Sequence, residues 1–446
     1  MKDKLLNIKN KHPLSIVLLT ALFLKIIAII FSKGYSFESE YFYYVETPNA
    51  WLDNIDNDGY STPQGISLLY VTINYLIFGF FKLFGIHNPQ WLMFFSRLIH
   101  GLLSLTVITL GYRITKIVSN RRFALNVAWV LGLLWFVPYI SVHTIAEAVS
   151  LPFLLYGTLL VVKQEKLRNE FKSNNLHRSS FIVAGVFFAL GFSIWYYSIL
   201  LYLTIIIVLS AKKNVKGSTM TLIGFLVTIG VTQTVPDLIV WGRPLVELRA
   251  FLSNILNINL IIPISYYVIA IVTILMTVCF LVYGRYINLH YKCHKYNKLQ
   301  KYLYAICIFV NTVLLITTTL MYSNKPEVKA MTYLSKDKNV NLFIINDEDS
   351  CEAKRPPLFY EKNWSDYIIV NQENINVVSS LNKEADYIVF RGNKDLNERV
   401  ENMKAYYPNI KHEVTYKPYF AYIMYKWLNH STTDGCVSIY KVSHEY

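Results

Sequence analysis

The sequence predicts a polytopic α-helical membrane protein of about nine spans, with interfacial helices in its first outer loop and a small C-terminal α/β domain outside the membrane. Three observations predict it. The 446-residue chain is 54% hydrophobic with a mean hydropathy of +0.33, too apolar for an ordinary soluble protein. Its formal charge of +14 is unevenly spread: residues 1–322 hold 27 Lys and Arg against 12 Asp and Glu, and residues 323–446 hold 16 against 17. The excess cation therefore sets membrane topology, and no basic face remains for nucleic acid. From Ser323 onward long apolar runs give way to short β-branched and aromatic runs separated by polar stretches. The domains read as 1–322, a membrane domain with an outer loop at 33–90, and 323–446, an extracytoplasmic α/β domain.

Lys2, Lys4, Lys9 and Lys11 precede the apolar run Pro13 to Phe31, which has no small-residue cleavage site behind it. That pattern reads as a retained first span with a cytoplasmic N-terminus. Lys25 within it must face the protein interior or reach for the interface. Further apolar segments fall near 66–86, 91–112, 123–140, 144–162, 180–193, 198–210, 219–240, 261–283 and 302–322. The basic clusters Lys116–Arg122, Lys163–Arg178, Lys212–Lys216 and Arg285–Lys301 lie on one side, the cytoplasm by the positive-inside rule. Keeping them there requires an odd number of crossings between Pro63 and Arg113. Ile66 to Ile86, with Asn74, Gly79 and Lys82, is accordingly expected to lie along the outer interface.

In the C-terminal region strands are expected at Asn341 to Ile345, Tyr367 to Val370, Asp386 to Phe390, Glu413 to Tyr419 and Val437 to Val442, with a helix near Asn393 to Tyr407. The region holds no glycine-rich phosphate loop, nucleophile elbow or metal signature, and a structural or acceptor-contacting role fits it. Cys351 and Cys436 can pair in an oxidising compartment or remain two buried thiols.

The chemistry-bearing stretch is Lys33 to Pro63, where Glu38, Glu40, Glu46, Asp53, Asp56 and Asp58 face a single base, Lys33. The first three are interleaved with Phe37, Tyr41, Phe42, Tyr43 and Tyr44. A carboxylate pressed against aromatic and lipid surface is partly desolvated, which raises its proton affinity toward that of a general base. The plainer reading is a solvated acidic connector. Arg243 and Arg249, in the outer loop Trp241 to Asn259, can clamp a phosphate with their guanidinium forks or simply anchor at the interface. Asp56-Asn57-Asp58-Gly59 has too few spaced ligands for a cation loop.

A basic N-terminus, one span, an acidic outer loop, interfacial helices, many further spans and an outer C-terminal domain together resemble the GT-C class of membrane glycosyltransferases. Within it the chain resembles the Alg9-like mannosyltransferases of the GPI-anchor and asparagine-linked glycan pathways. Their first loop carries H-P-D-E-x-F-Q-x-x-E; here Glu40, Phe42 and Glu46 match, while Phe37, Glu38, Ser39 and Tyr43 replace His, Pro, Asp and Gln. Val142-His143-Thr144-Ile145 with Glu147 is similar to the family's T-R-T-L-S-N stretch, with His143 for its arginine. Leu226 to Asn254 is similar to a further stretch, with Asp237 and Gly242 matching.

The resemblance implies a polyprenyl- or dolichyl-phosphate sugar donor and a lipid-linked glycan acceptor; inverting transfer is expected, and because the leaving group is a single lipid phosphate, arginines can replace a metal and no metal cofactor is expected. Glu40 would deprotonate the acceptor hydroxyl, Glu38 is the alternative base, and Glu46 would orient the acceptor or support the base. Arg243, Arg249 and His143 would hold the lipid phosphate. Two other readings stay open: a transporter or flippase for a lipid-linked or anionic solute, and an inactive scaffold subunit. Richness in Lys, Asn, Ile and Tyr with short loops favours a bacterial cell membrane over the endoplasmic reticulum.

Overall fold

A computed structural model describes residues 13–55, 62–171, 178–256, 298–348, 354–372, 374–380, 384–418 and 435–443. The expected span near 261–283, most of the last basic cluster, Asp56 to Gly59 and Cys351 lie outside these residues. The chain divides into two compact units, one comprising Met1–Ser32, Asn57–Phe84 and Phe94–Leu320, the other Lys33–Asp56, Gly85–Met93 and Met321–Tyr446.

In the first unit the apolar runs become helices, because in lipid only a helix satisfies every backbone N–H and C=O internally. They are α1 (Pro13–Phe31), α4 (Leu68–Leu83), α5 (Pro89–Val118, whose first residues belong to the other unit), α6 (Arg121–Leu133), α7 (Val137–Ile140), α8 (Ala146–Phe171), α9 (Arg178–Ile194), α10 (Ile199–Ala211), α11 (Val215–Trp241), α12 (Val246–Leu256) and α13 (Lys298–Thr319). Among the described residues four, α1, α5, α8 up to Arg168, and α11, are long and apolar enough to cross a membrane. The chain is an integral membrane protein. The run expected at 123–140 is not one helix: α6 ends at Leu133, and the chain turns extended at Leu134 before Pro138 sits in the first turn of α7.

Side-chain caps set several boundaries. Asn120 Oδ1 accepts from Phe123 N at the start of α6 and Asn214 Oδ1 from Gly217 N at the start of α11. Gly242, at φ +67°, stops α11 in the left-handed conformation that glycine tolerates. Helices α9 and α11 meet over small residues: a Cβ on Gly185 would collide with the Thr221 carbonyl, and one on Gly224 with the Ile182 carbonyl. Beside that seam Phe188, Phe192, Tyr202 and Phe225 fill the core, with Tyr202 and Phe225 stacked at 3.9 Å. Lys25 faces the interior, where its ammonium donates to Ser104 Oγ at 2.5 Å and Ser141 Oγ at 2.8 Å.

In the second unit α14 (Lys325–Leu334) leads to a five-stranded sheet of β1 (Leu342–Asn346), β2 (Asp366–Val370), β3 (Tyr387–Arg391), β4 (Ile410–Tyr416) and β5 (Val437–Val442). The order is β2-β1-β3-β5-β4, the first three strands parallel and β5 antiparallel to both neighbours, with a register shift between His412 and Val414. Central β1 and β3 are buried at every residue, as strands covered on both faces must be. Short α15 (Leu358–Glu361) precedes β2, and α16 (Leu396–Lys404) follows β3, placing Val400 and Met403 against the sheet. Arg391 is locked by Glu327 at 2.8 Å and Asp347 at 3.2 Å.

Candidate functional site

From Lys33 to Asp56 the acidic stretch belongs to the second unit. Its entry is fixed by backbone: Ser323 N donates to Lys33 O at 3.0 Å, Asn324 Nδ2 to Tyr35 O at 3.1 Å, and Gly34, at φ +80°, passes so close to the Ser323 carbonyl that a Cβ would collide. From Glu38 the chain is helical to Leu52, as α2 (Glu38–Tyr41), a π-turn (Phe42–Glu46) and α3 (Thr47–Leu52). The π-turn carries one residue more than an α-turn, with Thr47 Oγ1 donating five residues back to Phe42 O at 2.9 Å. It re-aims Glu46 relative to the acids before it. Glu38 and Glu40, two apart on α2, leave the helix on different sides and do not form a facing pair.

Glu38 and Glu40 are half-buried. Glu46 is 4% exposed and accepts from Phe359 N at 3.3 Å. Burial pushes its pKa up to about 8, opposed by the N–H groups of Phe359 and Leu358, the Tyr41 hydroxyl and the Arg355 charge. Tyr41 is buried too, its ring stacked on Tyr35 at 4.3 Å and parallel to Tyr360 at 5.9 Å. Burial and the Glu46 charge hold its hydroxyl protonated well beyond the usual phenol range. At the far end of the run Asp53 accepts from Asn49 Nδ2 at 3.3 Å and Trp364 Nε1 at 3.1 Å. Glu46 and Asp53 are thus held by the turn at 358–364, which sequence reading gave no functional role.

The other candidates belong to the first unit. His143 lies in the turn between α7 and α8, 2% exposed, with Nε2 against Ser32 Oγ at 3.0 Å and its ring 4.4 Å from that of Tyr139. Burial, with Arg97 and His100 nearby, pushes its pKa down to about 3, so its ring is neutral and offers a hydrogen bond, not a charge. Arg243 lies on the turn after α11 and Arg249 on α12. Both are exposed, and neither guanidinium makes a hydrogen bond or ion pair among the described residues.

Sequence reading missed Glu247. It is fully buried between the two arginines, and its carboxylate accepts from the backbone N–H groups of Gln64, Gly65 and Ile66 at 3.1, 2.8 and 3.2 Å and from Trp241 Nε1 at 3.0 Å. The available signal was an acid in the first turn of an amphipathic helix. That signal ordinarily marks only a helix start. Among the described residues no group of three His, Cys, Asp or Glu side chains is placed to hold a metal ion.

No protein-family profile and no curated protein sequence matches the chain. Among solved structures it is similar to the archaeal oligosaccharyltransferase AglB from Archaeoglobus fulgidus in complex with an inhibitory peptide and a dolichol-phosphate. The identity is 10% and the TM-score 0.48, over 89% of this chain and 71% of that one. It is also similar to a crystal structure of the Archaeoglobus fulgidus oligosaccharyltransferase in complex with Zn and sulfate, at 11% identity and a TM-score of 0.43, over 87% and 69%.

Proposed function

We propose that the chain is a GT-C class glycosyltransferase, concretely a mannosyltransferase, that moves a sugar from a polyprenyl or dolichyl phosphate to a hydroxyl of a lipid-linked glycan. The observation that carries the reading is the helical run Glu38–Leu52. It presents Glu38 and Glu40 half-buried and buries Glu46 beside the Tyr41 hydroxyl and the N–H of Phe359, where its pKa reaches about 8. A solvated connector has no use for a buried carboxyl group; proton transfer at neutral pH has.

In this reading Glu40, with Glu38 as alternative, takes the proton of the acceptor hydroxyl. The oxygen attacks the anomeric carbon from the face opposite the lipid phosphate, and the bond from that carbon to the phosphate oxygen breaks, with inversion. Glu46, largely protonated at neutral pH, donates a hydrogen bond that orients the acceptor or the base. Arg243 and Arg249 neutralise the departing phosphate, and His143 contributes at most a neutral hydrogen bond. A leaving group with one phosphate needs no metal, so a chelator is expected to leave the rate unchanged. The working face is extracytoplasmic, in a bacterial cell membrane that the chain crosses nine times.

The test is sugar transfer by the purified protein in lipid, from a polyprenyl-phosphate-mannose donor to a membrane lipid extract. Glu40→Gln is expected to lower kcat about a hundredfold or more, the usual loss on removing a general base. Glu38→Gln is expected to retain most activity. Equal activity of both variants and wild type ends the carboxylate mechanism. A transporter or flippase is the second reading, favoured by the buried Lys25, Arg97 and His100. It gains if wild type is inert with several such donors yet moves a lipid-linked solute across vesicles.

A further inference from the structure

Glu247 lies inside one unit and outside the groups assigned to the reaction, yet it gathers more of the chain than a helix-start acid needs. Three successive N–H groups, of Gln64, Gly65 and Ile66, converge on its Oε2, while Trp241 Nε1 holds its Oε1. Successive N–H groups turned to one point form a nest for an anion, and here the nest is filled by the protein's own carboxylate. Gly65, at φ +77°, lets it form: a Cβ there would sit 2.8 Å from Phe251 N and 2.9 Å from Phe251 Cα. Asn254 Nδ2 closes the far side by donating to Gln64 O at 3.2 Å. From below, Asp237 Oδ2 accepts from Glu247 N at 3.2 Å. The stretch from Asp237 through Trp241-Gly242 to Phe251 and Asn254 is thus one latch around Glu247.

The latch grips the segment that carries the two free arginines. Arg249 lies two residues after Glu247 on α12, and Arg243 four before it, just past Gly242. Long exposed cations grip a phosphate well only when the backbone beneath them is fixed. Each side chain already gives up rotamer freedom when ordered, and a misplacement of about 1 Å can cost on the order of a hundredfold. We propose that Glu247 is a positioning residue, fixing the turn 241–249 so that Arg243 and Arg249 meet the phosphate of a polyprenyl-phosphate donor together. This rests on the assignment of those arginines to the donor phosphate.

The experiment measures polyprenyl phosphate binding to the full chain in lipid nanodiscs. It compares wild type, Glu247→Gln, Trp241→Phe, Arg243→Ala/Arg249→Ala, and the last pair combined with Glu247→Gln. The amide of Glu247→Gln turns an N–H₂ toward N–H donors, so binding is expected to weaken about tenfold or more; Trp241→Phe, losing the indole donor to Oε1 and keeping the three N–H groups on Oε2, is expected to weaken it about threefold. With both arginines gone, Glu247→Gln is expected to add less than about a twofold change, because a positioning residue acts through what it positions. A full Glu247→Gln effect in that background marks a general fold defect and overturns the proposal. So does wild-type binding by Glu247→Gln while removal of the arginines abolishes it, an outcome that leaves the donor-site reading intact. If wild type fails to bind, or binds equally without the arginines, the donor-site reading falls and the proposal falls with it. Should Glu247→Gln fail to fold, Trp241→Phe decides in the same two backgrounds.

Discussion

Glu46 is a carboxyl group that folding moves from water to a buried position beside Tyr41, and its proton affinity records the move. The folded pKa of about 8 lies above the ordinary 4.5, so the folded state binds a proton that the unfolded state has released. The stability this contributes is fully present below about pH 4.5 and is lost as pH rises to about 8, by at most about 5 kcal/mol. Glu46→Gln mimics the protonated form. The thermal midpoint of wild type in detergent is expected to fall between pH 5 and 8, and that of Glu46→Gln to fall much less; parallel curves would show that Glu46 ionises freely. Lys25 offers the opposite case. Ser104 and Ser141 keep backbone acceptors of their own, Gly101 O at 2.7 Å and Pro138 O at 3.1 Å, when the amine is removed. Lys25→Met is therefore expected to cost less than about 1 kcal/mol, since removing a buried charge leaves no orphan behind. Unfolding midpoints at fixed pH check it, and a loss of several kcal/mol would mean that the ammonium has a further role.

At the scale of elements, the contact of α9 with α11 depends on Gly185 and Gly224, where each backbone fills the space a Cβ on the other would need. In lipid, such close approach supplies the packing that hydrophobic exclusion supplies in water. Gly185→Ala and Gly224→Ala are each expected to destabilise the protein by about 1–3 kcal/mol, as overpacking of a tight interface does. Urea or thermal unfolding in detergent reads this directly. The acid-bearing run makes a different point about elements. Its apolar and acidic residues are plain in the sequence, but the π-turn at Phe42–Glu46 is not. That turn separates a buried Glu46 from half-buried Glu38 and Glu40, and so divides acids that look equivalent on paper.

At the scale of the molecule, the acidic loop from Lys33 to Asp56 and the C-terminal sheet belong to one unit. Tyr41 stacks on Tyr360, Glu46 is held by Phe359 N, and Asp53 by Trp364 Nε1. A chain ended at Met321 loses all three partners. Chymotrypsin, which cuts after aromatic residues, is expected to cleave within residues 35–51 about tenfold faster or more in that truncation than in the full chain, because stability there is local and borrowed. Equal cleavage rates would show that the loop holds its shape unaided.

Among the described residues the sequence by itself determined most of the kinds of element and their order, the run at 123–140 excepted. Uninterrupted apolar runs can only be helices in lipid, and short β-branched runs between polar stretches give the five strands within a few residues of Leu342–Asn346, Asp366–Val370, Tyr387–Arg391, Ile410–Tyr416 and Val437–Val442. It also determined where carboxylates gather and that Lys25 must face the interior or reach for the interface; the structure placed it inside, on Ser104 and Ser141. Only the tertiary structure decided which carboxylates matter to what. Glu46 meets Phe359 across 313 positions and Glu247 meets Gly65 across 182. Local pattern carries no information on such pairs, because backbone N–H groups are the same at every residue. A carboxylate changes its proton affinity, or becomes a latch, only when distant chain removes its water and supplies those donors.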